Sequence, residues 1–554
     1  EQDPSRHLFR QTAHIPADRA FYSGRPRSYT RPVERRAERR RLAWSTAIFS
    51  AATGLSRLLG LVREIVAANY FGARGPINAF TVAFQIPNLV RALVADAALS
   101  SAFVPVFSEL LEKGERARAW RVASTVFWLF LLLVGGLTAL FILAAPVLMP
   151  PLTDAYDDLT VTLSQILFPI VVLLGLFGIV TGVLNSYDEF SIPALTPVFW
   201  NLAIIAGLAI GVPQADSESS KLYVYAGSIV AGTVLQLLLP LPWLRGRDGR
   251  LRLALDPRDP MVKQVFKLMV PVMLGLGLIN VNAVIGTIVA AKWIDPTIAP
   301  NAIDKAFRIY MLPQGMFSVA VATVLFPSLA RLASRGDTDG FRDTISRGLR
   351  QINFLLIPAA VVSVVLAEPI VRVLYERGAF EPDQTHVVAG ALAAFSVGLT
   401  FNGMMLMLNR GFFSLQAPWI PTVVALANVV LNVALYAVFY RVGVWGIPLA
   451  ISVANIAGVG LLLVALRRRI GRIDLTSTTR SFVLVSVASA ALAAVSYGVW
   501  RVLDDALGRS FAAQLLSLGA ALVAGGIVYL LACQALRVRE MAALLSLRDR
   551  FRRA

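Results

Sequence analysis

The chain is poor in the residues on which most soluble chemistry depends. Among 554 residues there is one cysteine, Cys533, so no disulfide can form within the chain. That thiol lies in the last apolar run and reads as a small buried hydrophobe. There are three histidines; His7 and His14 lie near the N-terminus, and His386 stands alone. No His, Cys and carboxylate set has the spacing of a metal site. Only 16% of the residues are charged, against about 25% in soluble domains. The acidic pairs Asp157-Asp158 and Asp504-Asp505 have no histidine, Gly-rich phosphate loop or nucleophile–base arrangement beside them. They read as solvated loop charges, and neither catalysis nor a resident cofactor is expected. The 52 Lys and Arg outnumber the 34 Asp and Glu, giving +18. No recognised nucleic-acid module accompanies that charge, so nucleic acid is not an expected partner.

What the chain has is apolar length. It is 56% hydrophobic, with a mean hydropathy of +0.66. Segments long enough to cross a bilayer, about 20 residues at 1.5 Å each, recur from Leu42 almost to the end. Fourteen are expected, at 43–71, 79–110, 120–149, 159–185, 192–212, 222–243, 262–293, 303–332, 345–375, 386–412, 419–440, 444–466, 481–502 and 512–535. The fold class expected is therefore an all-α polytopic membrane protein. The loops after spans 2, 6, 8 and 12 are basic, for example Arg116, Arg118 and Arg121, or Arg467, Arg468 and Arg469. The loop after span 3 carries Asp154, Asp157 and Asp158 instead. The positive-inside rule then places both termini in the cytoplasm. Residues 1–42 form a polar, Arg-rich arm without the apolar core of a secretory signal. The arm is expected to be disordered, or alternatively to clamp anionic lipid.

A weak repeat divides the chain. Phe103-Val104-Pro105 with Ser108 recurs as Leu325-Phe326-Pro327-Ser328, Ala145-Pro146-Val147 as Glu368-Pro369-Ile370, and Leu184-Asn185 with Pro197 as Leu408-Asn409 with Pro421. The offsets stay between 222 and 224 residues. Six spans per unit preserve orientation, so the units are parallel repeats: an N-lobe at 43–245, a cytoplasmic linker at 246–261 and a C-lobe at 262–470. Transporters built from such repeats hold their site between the lobes. Spans 13 and 14, within 471–536, stand outside the repeat, and a basic tail at 537–554 follows.

Charges within spans are the candidates for function. Arg57, Arg63 and Glu64 lie in span 1, Arg91 and Asp96 in span 2, and Asp304, Lys305 and Arg308 in span 8. Each costs roughly 2.5–3.5 kcal/mol at bilayer depth, so a polar cavity is expected between the helices. Arginine's planar fork suits phosphate and carboxylate oxygens. Arg57 and Arg63 are about 120° apart on an ideal helix, while Glu64 lies near the face of Arg57 and can neutralise it. Asp304 and Arg308 have the favourable i,i+4 order for a pair. Two arrangements remain open: these groups border one cavity, or they form fixed ion pairs that join helices. For Asp304 and Lys305 the second is an ion pair near the outer end of span 8. Glu368, Arg372, Glu376 and Arg377 are expected at the membrane interface. Of Asn88, Asn201, Asn280, Asn282, Asn428 and Asn432, most are expected to be interhelical hydrogen-bond glue; the alternative for Asn428 and Asn432 is a cation site with backbone carbonyls, which no acidic residue supports.

Several of these residues sit in longer recognisable strings: Ser56-Arg57-Leu58-Leu59-Gly60-Leu61-Val62-Arg63-Glu64, Phe71-Gly72-Ala73, Ala83-Phe84-Gln85-Ile86-Pro87-Asn88-Leu89-Val90-Arg91 and Ser100-Ser101-Ala102-Phe103-Val104-Pro105. With Ser191-Ile192-Pro193-Ala194 and Leu325-Phe326-Pro327-Ser328-Leu329, they closely resemble the MurJ (MviN) lipid II flippases, of the superfamily that includes MATE-type exporters. The resemblance covers about 43–540. It implies alternating access between two six-span lobes in the bacterial cytoplasmic membrane. A cationic cavity would carry the pyrophosphate and sugar–peptide head of lipid II for peptidoglycan synthesis, and spans 13 and 14 would help form a groove for the polyprenyl tail. The family's essential arginines fall on Arg57, Arg63, Arg91 and Arg308, and the acidic residue of span 2 on Asp96. Glu64, Asn78 and Asp304 are candidates for gating or ion pairing. Some members have an acid where this chain has Asn78, and some have a sodium-site acid in span 7 where this chain has Gly286. The coupling ion is therefore left open, with membrane potential the expected driving force. Alternatives are a flippase for another polyprenyl-linked glycan, or a non-transporting scaffold that recruits cell-wall synthesis proteins.

Overall fold

The structure is a computed structural model that describes residues 32–94, 97–471 and 474–541. Every long element among them is helical. The first half contains α1 (Pro32–Phe71), α2 (Ile77–Val94), α3 (Ala97–Glu112), α4 (Arg116–Leu148), α5 (Asp157–Leu167), α6 (Ile170–Ser186), α7 (Ser191–Ala206) and α8 (Glu218–Leu238). The second contains α9 (Pro260–Val289), α10 (Ala299–Pro313), α11 (Val319–Ser334), α12 (Thr338–Val365), α13 (Ala367–Tyr375), α14 (Pro382–Val397), α15 (Leu399–Ser414), α16 (Trp419–Phe439) and α17 (Gly446–Ile470). Then come α18 (Leu475–Leu507) and α19 (Phe511–Ala535). Among the described residues, ten helices or continuous helical runs are long and apolar enough to cross a membrane. The pair α14 and α15, bent by 43° at Gly398, makes an eleventh if it is one span.

The helix α1 begins eleven residues earlier than the expected span. Residues 32–42 of the arm are helical rather than disordered, and residues 1–31 lie outside the described residues. Pro32 suits the first helical position, and the Glu, Arg and Ala residues after it are strong helix formers. Extending a helix that is already nucleated costs little.

Among the described residues, the two largest hydrophobic cores follow the two halves of the chain. One gathers Phe103, Phe107, Phe130 and Phe168 with other residues of α1–α9. The other gathers Tyr310, Phe341, Phe395 and Phe412 with residues of α10–α17, and takes in Ala68 and Ala73 from the first half. The helix α9 packs on α2 and α3 as well as on α16, so it spans both groups. Segment 246–261 lies along α4: the Arg252 amide donates to Ser124 Oγ at 3.1 Å, Trp128 Nε1 donates to the Arg252 carbonyl at 2.9 Å, and Arg118 pairs with Asp259 at 3.2 Å.

The last two helices are fastened to α12 and α13. Tyr529 and Cys533 pack with Phe354, Ile357 and Val485, and Tyr529 Oη donates to the Phe354 carbonyl at 2.6 Å. Cys533 is fully buried, as expected. Two expectations are corrected here. Arg372 is buried rather than interfacial, and Asp504 is not a solvated loop charge. Arg372 pairs with Glu368 at 2.7 Å on its own helix and with Asp504 of α18 at 3.3 Å. A buried guanidinium needs that compensation, and α18 brings Asp504 to it.

Candidate functional site

Charge in the apolar interior concentrates where α1 meets α7 and α10. Arg63 Nη2 donates to Glu64 Oε1 at 2.7 Å and Nη1 donates to Asn201 Oδ1 at 3.2 Å. Its guanidinium lies 4.7 Å from the centre of the Trp200 ring, a cation–π distance. Asn201 donates in turn to the carbonyls of Ser56 and Pro197, which holds α7 against α1. Arg63 Nε is buried with no acceptor among the described residues. Glu64 is 7% exposed, and its Oε1 also takes Arg308 Nη1 at 3.1 Å. Arg308 Nε donates to Asp304 Oδ2 at 2.7 Å.

The result is a chain of alternating sign, Arg63–Glu64–Arg308–Asp304, that crosses from the first half to the second. Glu64 was expected beside Arg57; it serves Arg63 and Arg308 instead. Helical spacing orders residues on one helix, but the nearest countercharge lies on another. Asp304 and Arg308 make the i,i+4 pair the sequence favours. Lys305 makes no ion pair among the described residues: it is 3% exposed, its Nζ 5.0 Å from the Tyr375 ring centre. A cavity of about 30 Å³ is bounded by Glu64, Phe80, Tyr225, Asn301, Asp304, Lys305 and Arg308. It holds about one water molecule, so a lipid head group needs the cleft to open.

One end of the cleft is sealed by backbone. Asn78 Nδ2 donates to the carbonyls of Ala73, Gly75 and Thr297, and Asn78 Oδ1 accepts from the Asn301 amide at 2.9 Å. Asn301 Nδ2 donates to Thr81 Oγ1 at 2.8 Å. The Ala73 amide donates to Gln384 Oε1 at 2.6 Å and the Ala379 amide to the Asn69 carbonyl at 2.9 Å. Gly378 has φ +59°, and a Cβ there would lie 2.3 Å from the Asn69 carbonyl oxygen. The amide at position 78 thus supplies donors that a carboxylate lacks.

The other candidates do not join this cluster. Arg57 is exposed, beside Gly315 in the π-helical turn Gln314–Ser318 that links α10 to α11; a Cβ on Gly315 would lie 3.7 Å from Arg57 Nη1. Arg91 donates to Asn88 Oδ1 through Nε at 3.2 Å and Nη2 at 2.8 Å. Asp96 lies outside the described residues. The space beside Gly286 is taken by Tyr436, whose hydroxyl donates to Asn282 at 3.3 Å. Among the described residues no group of His, Cys, Asp and Glu could hold a metal. An apolar pocket of about 300 Å³ runs between α12, α14, α15 and α18, lined by Ile357, Val361, Val397, Phe401 and Phe482. Of its lining residues, only Phe482 comes from the last two helices. Sequence reasoning missed Trp200, Asn301, Tyr375 and Gln384, which carry no local signal; Asn201 was seen only as interhelical glue.

Comparison with known proteins is consistent across three kinds of evidence. The family described as lipid II flippase MurJ matches residues 67–518. The lipid II flippase MurJ of Burkholderia cenocepacia is 32% identical over 435 residues, covering 76% of this chain and 83% of that protein. The probable lipid II flippase MurJ of Rhizobium meliloti is 33% identical over 463 residues, covering 81% and 85%. Among solved structures, a lipid II flippase MurJ in an inward closed conformation superposes with a TM-score of 0.74 at 25% identity, covering 90% of this chain and all of that one. An inward-facing MATE family transporter of the MOP superfamily shares the fold, with a TM-score of 0.66 at 14% identity over 78% of this chain and 99% of the other.

Proposed function

This chain belongs to the lipid II flippase MurJ family, and from that premise we infer that it is a lipid II flippase: a transporter, not an enzyme, and a multi-pass protein of the bacterial inner membrane. It serves peptidoglycan synthesis by carrying lipid II from the inner to the outer leaflet.

The observation that carries the mechanism is Glu64, shared by Arg63 and Arg308 across the two halves of the chain. Two guanidiniums held on one carboxylate are spaced to take the oxygens of one anion in its place. In this reading the pyrophosphate of lipid II enters the opened cleft, displaces Glu64 and is also met by the buried Arg63 Nε. Arg57 and Arg91 serve the entry path in this reading, and Asp96 is kept as a binding candidate on its sequence match alone. The seal around Asn78 closes the outer end while the cleft loads from the cytoplasm. The two lobes, 43–245 and 262–470, then rock about the site; the separate hydrophobic cores support that division. The polyprenyl tail stays in lipid, along the apolar pocket between α12, α14, α15 and α18.

We read all fourteen apolar segments as spans, a reading supported by the helix found in each, and the basic loops after spans 2, 6, 8 and 12 favour both termini in the cytoplasm. Moving a charged head across the bilayer lets membrane potential drive the cycle, at about 2.3 kcal/mol per charge per 100 mV. Gly286, with Tyr436 filling its surroundings, argues against a carboxylate sodium site there.

The test is lipid II translocation in cells depleted of their own flippase that express this chain, Arg63→Ala or Arg91→Ala at matched membrane levels. Transport by the parent and loss in both variants is expected. No transport by a well-inserted parent would overturn the assignment.

A further inference from the structure

The charges of the cleft do not balance. Arg63 and Arg308 are matched by Glu64 and Asp304 through contacts of 2.7–3.1 Å. The cation left over is Lys305. It is 3% exposed and faces the same small cavity as Glu64, Asp304 and Arg308. Among the described residues, no carboxylate comes within ion-pairing distance of its Nζ. Its close partner is the ring of Tyr375, whose own hydroxyl is buried with no hydrogen bond among the described residues. Burying an ammonium this way is expensive unless something repays it. A cation–π contact repays a small part. Lys305 precedes Arg308 by three residues on α10, so the two side chains are neighbours on one helix surface.

We propose that Lys305 is a direct phosphate contact of the transport site, and that it serves the second phosphate of the pyrophosphate while Arg63 and Arg308 hold the first. The proposal rests on the lipid II reading above and adds a residue and a specificity to it. Recognition is then divided. The guanidiniums must exchange Glu64 for a phosphate oxygen, one anion for another, with little net change in charge. Lys305 has no anion to give up, so its contact is pure gain. A carrier lipid with one phosphate forgoes that gain, whereas one with two does not.

The experiment measures binding to the purified full-length chain of two probes, lipid II and undecaprenyl phosphate. The variant Lys305→Gln should weaken lipid II binding about tenfold or more, the scale of a lost charge-assisted hydrogen bond, and weaken undecaprenyl phosphate binding less than about threefold. The variant Lys305→Arg should recover most of the lipid II affinity, because it restores the charge. Equal losses for both probes, or lipid II binding unchanged in Lys305→Gln, would overturn the proposal. Should Lys305→Gln fail to fold, Lys305→Met, which keeps an apolar stem against Tyr375, gives the same reading with both probes. A tenfold or greater loss for lipid II beside a loss of less than about threefold for undecaprenyl phosphate is expected, and equal losses would overturn the proposal. A parent chain that binds neither probe would sink the lipid II assignment itself, and this inference with it.

Discussion

Arg308 of α10 meets Glu64 of α1 at 3.1 Å, on a carboxylate oxygen that already holds Arg63 at 2.7 Å. The contact makes one carboxylate the joint between two halves of the chain. Glu64→Gln keeps the shape and removes the charge, leaving Arg308 with Asp304 as its carboxylate and Arg63 with the neutral Asn201 and Trp200. Removing one partner of a buried pair costs about 3–5 kcal/mol, and the partial exposure of Arg308 argues for the lower part of that range. Thermal unfolding in detergent should therefore shift several degrees lower, and added lipid II should raise the midpoint more in the variant than in the parent. An unchanged midpoint would show that Glu64 is not the joint.

Asn78 offers a sharper contrast because the exchange is nearly isosteric. Asn78→Asp loses the donors that now serve Ala73, Gly75 and Thr297, at roughly 1–3 kcal/mol for a buried acceptor left unmade. It also brings a negative charge against those carbonyls. The sealed end should loosen. In a background where Cys533 is replaced by serine, a cysteine at Thr297 should label faster with a membrane-impermeant maleimide when position 78 is Asp.

Gly378→Ala tests the seal by geometry alone. The position has φ +59°, and its Cβ would fall 2.3 Å from the Asn69 carbonyl oxygen. Backbone conformation and space both reject the methyl group. Labelling at Thr297 should increase here too, without any change of charge. Parent-like labelling would mean that this approach does not hold the end closed.

The anchor of α18 should be strongly asymmetric. Arg372 has Glu368, Glu376 and Asp504 around it. Arg372→Met strands three acids, whereas Asp504→Asn removes one of three. The first is expected to cost about 3–5 kcal/mol and the second much less. Proteolysis of the α18–α19 connection should follow the same order, and equal sensitivity in the two variants would contradict it.

The linker supplies a pH dependence. Burial alone would raise the Asp259 carboxyl, but hydrogen bonds from Arg118 and the Met261 amide hold it below its ordinary value of 3.8. A carboxyl depressed in the folded state stabilises above its unfolded pKa, and that stability is lost as pH falls through the folded one. Docking of residues 256–263 on α4 should therefore be intact at neutral and mildly acidic pH and fail only below the ordinary carboxylate range. After a rate correction for pH, amide exchange at Met261 and Lys263 should accelerate there in the parent. Asp259→Asn should remove that acid-dependent step.

Several properties of this protein were determined by the order of its residues alone. Long apolar segments must satisfy their own backbone, so helical class follows from composition and length. Lone arginines in such segments mark a polar interior, and the strings from Ser56 to Pro105 identify the family. The i,i+4 pair of Asp304 and Arg308 was equally local, because one turn of helix brings the two together. The tertiary structure decided which charges meet. Glu64 lies on the side of its helix that suggests Arg57, yet it pairs with Arg308 because α10 packs there and a buried charge takes the nearest countercharge. Arg372 looked interfacial until α18 brought Asp504 to it. For Lys305 the sequence left open an ion pair near the outer end of span 8 or a place at a cavity, and packing put it at the cavity against Tyr375. Neighbours along a helix are set by its 3.6-residue turn, but neighbours between helices are set by packing, and in this chain the functional charges are arranged between helices.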